Sequence, residues 1–199
     1  MNQHPNLLSI ENSLLLVIDI QSRLLSAMPE NTVEQVLKNS AILLEAAEIL
    51  DVPVIVTEQY PAGLGATDRS ITDKLAVNTA ILDKTGFSCF AADKFTQILE
   101  QSNKQQIILI GQEVHVCVLQ TALELLHMGY QVHIVEDAIC SRNTEHKLFS
   151  LQRMQQQGAS ITNHESVLFE WLKDSTHRHF KSISKLLSPS FDYCDMFFL

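Results

Sequence analysis

The chain has few of the residues that build linkers. Only 6 glycines and 5 prolines occur in 199 residues, and no Pro/Gly/Ser-rich stretch divides it. Internal repeats and low-complexity tracts are absent as well. A single domain over residues 1–199 is the expectation, and 46% hydrophobic residues are enough for one substantial core. Gly63 and Gly65 form no GxGxxG and Gly111 stands alone, so there is no dinucleotide fingerprint and no cofactor is expected. Basic charge is also short, with 14 Lys+Arg against 23 Asp+Glu and a formal net charge of −9. Such a chain gains nothing from counterion release on a phosphate backbone or at an anionic lipid surface, so neither nucleic acid nor membrane is an expected partner. No apolar run approaches the roughly 20 residues that span a bilayer. The opening MNQHPNLLSIENS has no basic segment leading into an apolar one, which argues against a secretory signal and for a cytoplasmic chain. The four cysteines (Cys89, Cys117, Cys140 and Cys194) never form CxxC and are read as reduced thiols. The eight histidines are scattered, and His177 with His179 is too small a set to hold a metal alone.

What is present is an alternation of apolar runs and helical periodicities, the pattern of a mainly parallel sheet of about six strands with helices on both faces, a three-layer α/β fold. Leu14 to Ile18, Pro53 to Val56, Ile107 to Ile110 and Val132 to Val135 read as strands, with a weak one at Ala80 to Leu82 and a short one at Ser160 to Thr162. Helical spacing marks Thr32 to Leu50, Asp93 to Gln101, Cys117 to Met128 (closed by Gly129), Glu145 to Gln156, Val167 to Leu172 and Phe180 to Leu187. The aromatic end, Phe191 to Leu199, either folds back on its own core or packs on a neighbouring subunit.

Ligands of open parallel sheets bind beyond the carboxyl ends of the strands. Three reactive side chains fall there: Asp19 after Leu14–Ile18, Lys84 after Ala80–Leu82, and Cys117 after Ile107–Ile110 and a short connection. Each alone has an ordinary explanation as a turn cap, a solvated charge or a small buried hydrophobe. A carboxylate, a cation and a thiol at three strand ends are harder to dismiss together. A helix N-terminus at Cys117, beside a lysine, predicts a thiol pKa below the usual value of about 8.5.

Leu16-Val17-Ile18-Asp19-Ile20-Gln21, Asp83-Lys84-Thr85-Gly86-Phe87-Ser88 and above all Gly111-Gln112-Glu113-Val114-His115-Val116-Cys117-Val118-Leu119-Gln120-Thr121-Ala122 resemble three segments of the isochorismatase-like cysteine hydrolases. Val132 to Arg142 continues the likeness, which runs from about Leu14 to Leu187. Thr57 to Gly65 and the region His177 to Leu187 look closest to the isochorismatase domain-containing subgroup. The resemblance implies that Asp19 takes the Cys117 proton, Lys84 stabilises both partners, and the thiolate attacks an electrophilic carbonyl. It further implies an oxyanion hole from the backbone N–H groups of Glu113 and Cys117, with a cis peptide between Gln112 and Glu113. By position, Gln21, Tyr60 and Phe87 are candidate pocket residues.

Departures narrow the reading. Metal-binding nicotinamidases of the superfamily carry an Asp-x-His pair and further histidines after the second strand. Here Thr57-Glu58-Gln59-Tyr60-Pro61 offers no histidine, which argues against a metal. The expected activity is metal-independent hydrolysis of a small amide or ureide C–N bond by a homo-oligomer. Vinyl-ether hydrolysis of a chorismate-like acid is the second reading, and a non-catalytic interaction protein on the same fold is the third.

Overall fold

The computed structural model describes residues 4–187. The chain runs β1 (Ser13–Ile18), α1 (Ser22–Leu25), α2 (Glu30–Ile49), β2 (Val54–Gln59), α3 (Pro61–Leu64), α4 (Arg69–Thr72), β3 (Ala80–Lys84) and α5 (Phe95–Gln101). It continues with β4 (Gln106–Gln112), α6 (Leu119–His127), β5 (Gln131–Cys140), α7 (Thr144–Gln156), β6 (Ser160–Thr162), α8 (His164–Leu172) and α9 (Phe180–Leu187). The six strands form one sheet in the order β3-β2-β1-β4-β5-β6, every neighbour parallel.

Covering both faces explains the unbroken apolar runs. Every residue of β1 and β4 is buried, so neither strand needs a polar side. Because successive side chains alternate, Leu15 and Val17 of β1 enter a core with α2, α8 and α9, while Leu14, Leu16 and Ile18 enter another with α5, α6 and α7. In the first core, buried Trp171 donates from Nε1 to Ser13 Oγ at 3.0 Å, which satisfies its polar edge. Asn143 and Asn163 cap α7 and α8 by accepting from Glu145 N and Ser166 N, each at 2.8 Å.

Successive crossovers carry the chain outward from β1 through β2 and β3, then back to β4 and outward the other way through β5 and β6. The reversal lies between β1 and β4, which makes the crevice beyond their carboxyl ends the natural ligand position. Gly111 allows β4 to approach β1 there: its φ is 144°, and a Cβ would lie 2.1 Å from the Ile18 carbonyl oxygen.

Several elements outrun their sequence signals. β2 extends to Gln59 and β3 to Lys84. β5 reaches Cys140 because its pairing with β4 jumps from Leu109↔Ile134 to Gly111↔Ile139, a bulge that takes up Val135 to Ala138. Among the described residues, no helix is long and apolar enough to cross a membrane. The run Phe191 to Leu199, with Cys194, lies outside the described residues.

Candidate active site

The carboxyl ends of β1, β2 and β4 each finish in a non-glycine residue with left-handed backbone: Asp19 (φ 55°), Tyr60 (φ 38°) and Glu113 (φ 53°). Such conformations are costly for residues with a Cβ and cluster where geometry is functionally constrained. They turn the chain sharply at the crevice and bring Asp19, Lys84 and Cys117 together.

Lys84 and Asp19 form a wholly buried ion pair, with Nζ 2.7 Å from Asp19 Oδ2 and both side chains 0% exposed. Two charges removed from water require further partners. Lys84 finds them in Gln59 Oε1 at 2.6 Å and the Phe87 carbonyl at 2.9 Å, and Asp19 accepts a further bond from Thr57 Oγ1 at 2.8 Å. The Cys117 thiol sits 3.9 Å from Gln59 Oε1, the oxygen that Lys84 also bonds, and close enough to both charges for each to act on its ionisation. Thr57 also touches a second buried thiol, Cys89 Sγ, at 3.6 Å.

The expected low pKa of Cys117 is not found. Burial pushes this thiol well above its ordinary value, and the negative charge of Asp19 adds to the rise, against the opposing pull of Lys84. The helix-end argument fails for a structural reason. Cys117 lies inside a π-helical turn, Val114–Val118, that leads into α6, so it is not at a free helix N-terminus. Its N–H already donates to the Glu113 carbonyl at 3.1 Å, so in this structure it is not an open oxyanion donor. The cis peptide expected between Gln112 and Glu113 is likewise absent, since no cis bond occurs among the described residues. The left-handed Glu113 makes the turn instead, and its carboxylate is fixed by Arg142 through Nε at 3.2 Å and Nη2 at 3.1 Å.

Of the three candidate pocket residues, Tyr60 and Phe87 stand exposed beside these strand ends, at 55% and 53%. Gln21 does not line open space. It is fully buried and clamps the Gln59 backbone, accepting from Gln59 N at 2.7 Å and donating to Gln59 O at 3.1 Å. His115 turns its Nδ1 to Ser141 Oγ at 3.1 Å. Among the described residues, no group of three His, Cys, Asp or Glu side chains is arranged to hold a metal.

Residues 13–166 match the family model for the isochorismatase domain. The chain belongs to the isochorismatase family. It is 39% identical over 187 residues to isochorismatase domain-containing protein 2 of Danio rerio, covering 93% of this chain and 92% of that one. Isochorismatase family protein 1B of Dictyostelium discoideum is 40% identical over 177 residues, covering 87% and 84%. A solved structure from Caenorhabditis elegans, described as MAR1 ribonuclease, superposes with a TM-score of 0.86 at 39% identity, covering 92% and 93%.

Within this isochorismatase-family site, sequence reasoning missed Gln59 and Thr57. Both belong to β2, whose last residues Thr57, Glu58 and Gln59 are polar yet buried. The available signal was a polar triplet directly following the apolar run Val54–Val56. Glu58 accepts from Thr67 N at 2.6 Å and Thr67 Oγ1 at 2.7 Å, tying down the loop that follows.

Proposed function

We propose that this chain is a hydrolase in which Cys117 is the nucleophile, Asp19 the proton carrier and Lys84 a fixed counter-charge, acting without a metal on a small amide or ureide C–N bond. The observation that carries this reading is the buried Lys84–Asp19 pair at 2.7 Å with the Cys117 thiol against it. A resting site of this kind holds a neutral thiol beside an anionic carboxylate. As the sulfur bonds to the carbonyl carbon, its proton passes to Asp19 and the C=O electron pair moves onto oxygen. Collapse of that tetrahedral species breaks the C–N bond, and the proton on Asp19 goes to the departing amine. Water, deprotonated by Asp19, then cleaves the thioester and regenerates the thiol. With its three protons bonded to Asp19, Gln59 and Phe87, Lys84 supplies charge rather than substrate contact. The high thiol pKa suits this sequence, in which proton transfer accompanies attack and no thiolate is stored.

The test is a panel of small amides, ureides and chorismate-like acids, followed by product analysis, with wild type and Cys117→Ala. Amine release that vanishes in a folded Cys117→Ala supports the reading; release that persists overturns it. Vinyl-ether cleavage that survives Cys117→Ala would establish the second chemistry. RNA belongs in the same panel because of the C. elegans relative's description. The net charge of −9 weighs against an RNA substrate.

A further inference from the structure

An ammonium has three protons, and Lys84 commits all of them, to Asp19 Oδ2, Gln59 Oε1 and the Phe87 carbonyl. None remains for sulfur. Lys84 and Cys117 share one acceptor, the amide oxygen of Gln59, which accepts from Nζ at 2.6 Å and from the thiol at 3.9 Å. That amide is not free to flip, because its Nε2 donates to the Thr85 carbonyl at 2.7 Å. Gln21 fixes the backbone behind it with bonds of 2.7 and 3.1 Å, and Gln59 is only 9% exposed.

We propose that Gln59 is a fourth catalytic residue, whose amide oxygen holds the Cys117 proton in the resting site and keeps the Lys84 ammonium off the sulfur. This rests on the thiol-nucleophile reading above. A carbonyl oxygen welcomes S–H and repels S⁻, whereas a lysine N–H would favour S⁻. Gln59 therefore screens Cys117 from the cation beside it and leaves Asp19 as the acceptor for the proton during attack. The same arrangement guards a buried thiol against premature ionisation and the oxidation that follows it.

The experiment measures alkylation of Cys117 by iodoacetamide as a function of pH, read by peptide mass mapping, in wild type, Gln59→Met and Gln59→Glu. Gln59→Met removes the acceptor and releases one Lys84 N–H toward sulfur. Its titration midpoint should fall by about one unit, which raises the thiolate fraction about tenfold below the midpoint. The more acidic thiolate is a weaker nucleophile, so the alkylation rate there should rise roughly three- to fourfold. Gln59→Glu sets a second carboxylate against the same ammonium and should move the midpoint upward. Both variants should lose amide hydrolysis. A packing role would slow alkylation in both variants and would not split the midpoints. Midpoints that stay put, or move in the same direction, overturn the inference. If circular dichroism shows that one variant fails to fold, the sign of the other's shift decides. Because alkylation needs no substrate, opposite shifts alongside an active Cys117→Ala would refute the hydrolase mechanism and leave the role of Gln59 standing. An inactive Cys117→Ala with unmoved midpoints would do the reverse.

Discussion

Replacing Lys84 with methionine should cost this fold more than any surface charge could. The side chain is 0% exposed, its Nζ makes three bonds of 2.6–2.9 Å, and its partner Asp19 is equally buried. Methionine fills nearly the same volume, so packing changes little and the loss is electrostatic. Removing one member of such a pair strands the other charge in the interior, at about 3–5 kcal/mol. That is a large part of the roughly 5–15 kcal/mol that holds a typical domain together. For a chain of this length, it corresponds to a melting temperature lower by roughly 6–20 °C. Thermal unfolding followed by circular dichroism at pH 8 measures it, together with Asp19→Asn and the double variant. With both charges gone, the double variant should melt well above the sum of the single losses, with a coupling of about 2–3 kcal/mol. It should remain inactive, which separates folding from catalysis. A Lys84→Met protein melting within about 2 °C of wild type would refute the reasoning.

Gly111→Ala places a methyl group 2.1 Å from the Ile18 carbonyl at a φ of 144°. It should destabilise by more than about 3 kcal/mol, measured by urea unfolding, and displace the Glu113–Cys117 turn that follows. His133 is buried on β5 and its pKa is lowered to about 4 by burial, with no polar partner for Nε2 among the described residues. The unfolded chain protonates this imidazole below about pH 6.5 and the fold does not, so stability should fall with pH between about 6.5 and 4, by roughly 3 kcal/mol in all. His133→Leu should flatten that slope in unfolding experiments run at successive pH values. Leu148 and Phe149 lie 51% and 62% exposed on α7, an apolar pair suited to contact with a second copy, and multi-angle light scattering at micromolar concentration should show a homo-oligomer. A monomer would refute that assembly.

The strands were legible where both faces are covered. β1 and β4 read as apolar runs because every one of their residues is buried, and β6 was located at Ser160 to Thr162 as it stands. Strand ends were harder, because Thr57, Glu58 and Gln59 continue β2 with polar side chains whose partners come from other segments: Thr67 in the loop that follows, and Asp19, Lys84 and Thr85 at least 25 residues away. β5 was cut short at Val135 for a related reason: Glu136 and Asp137 interrupt the apolar pattern where the bulge turns them away from the ladder. Asp19, Lys84 and Cys117 were reached through their places after strands and through the family likeness. The state of the thiol was not, because it depends on burial and on a carboxylate about 100 residues away in sequence. Nor does the sequence reveal the π-helical turn Val114–Val118, of which only the last two residues fell within the helix read from Cys117 to Met128.

In the proposed hydrolase, the three left-handed residues at the carboxyl edge would also bear on how a substrate is chosen. Asp19, Tyr60 and Glu113 all carry side chains, so each turn has far fewer backbone alternatives than a glycine would give it. Side-chain bonds secure the first and last of these turns through Thr57 and Arg142, and the residue before Tyr60 is held by Gln21. An entrance built this way does not mould itself to what enters. It discriminates as a rigid template, by the fit of shape and charge already in place, and its selectivity should change stepwise with substitutions at exposed Tyr60 and Phe87 rather than with loop length or temperature.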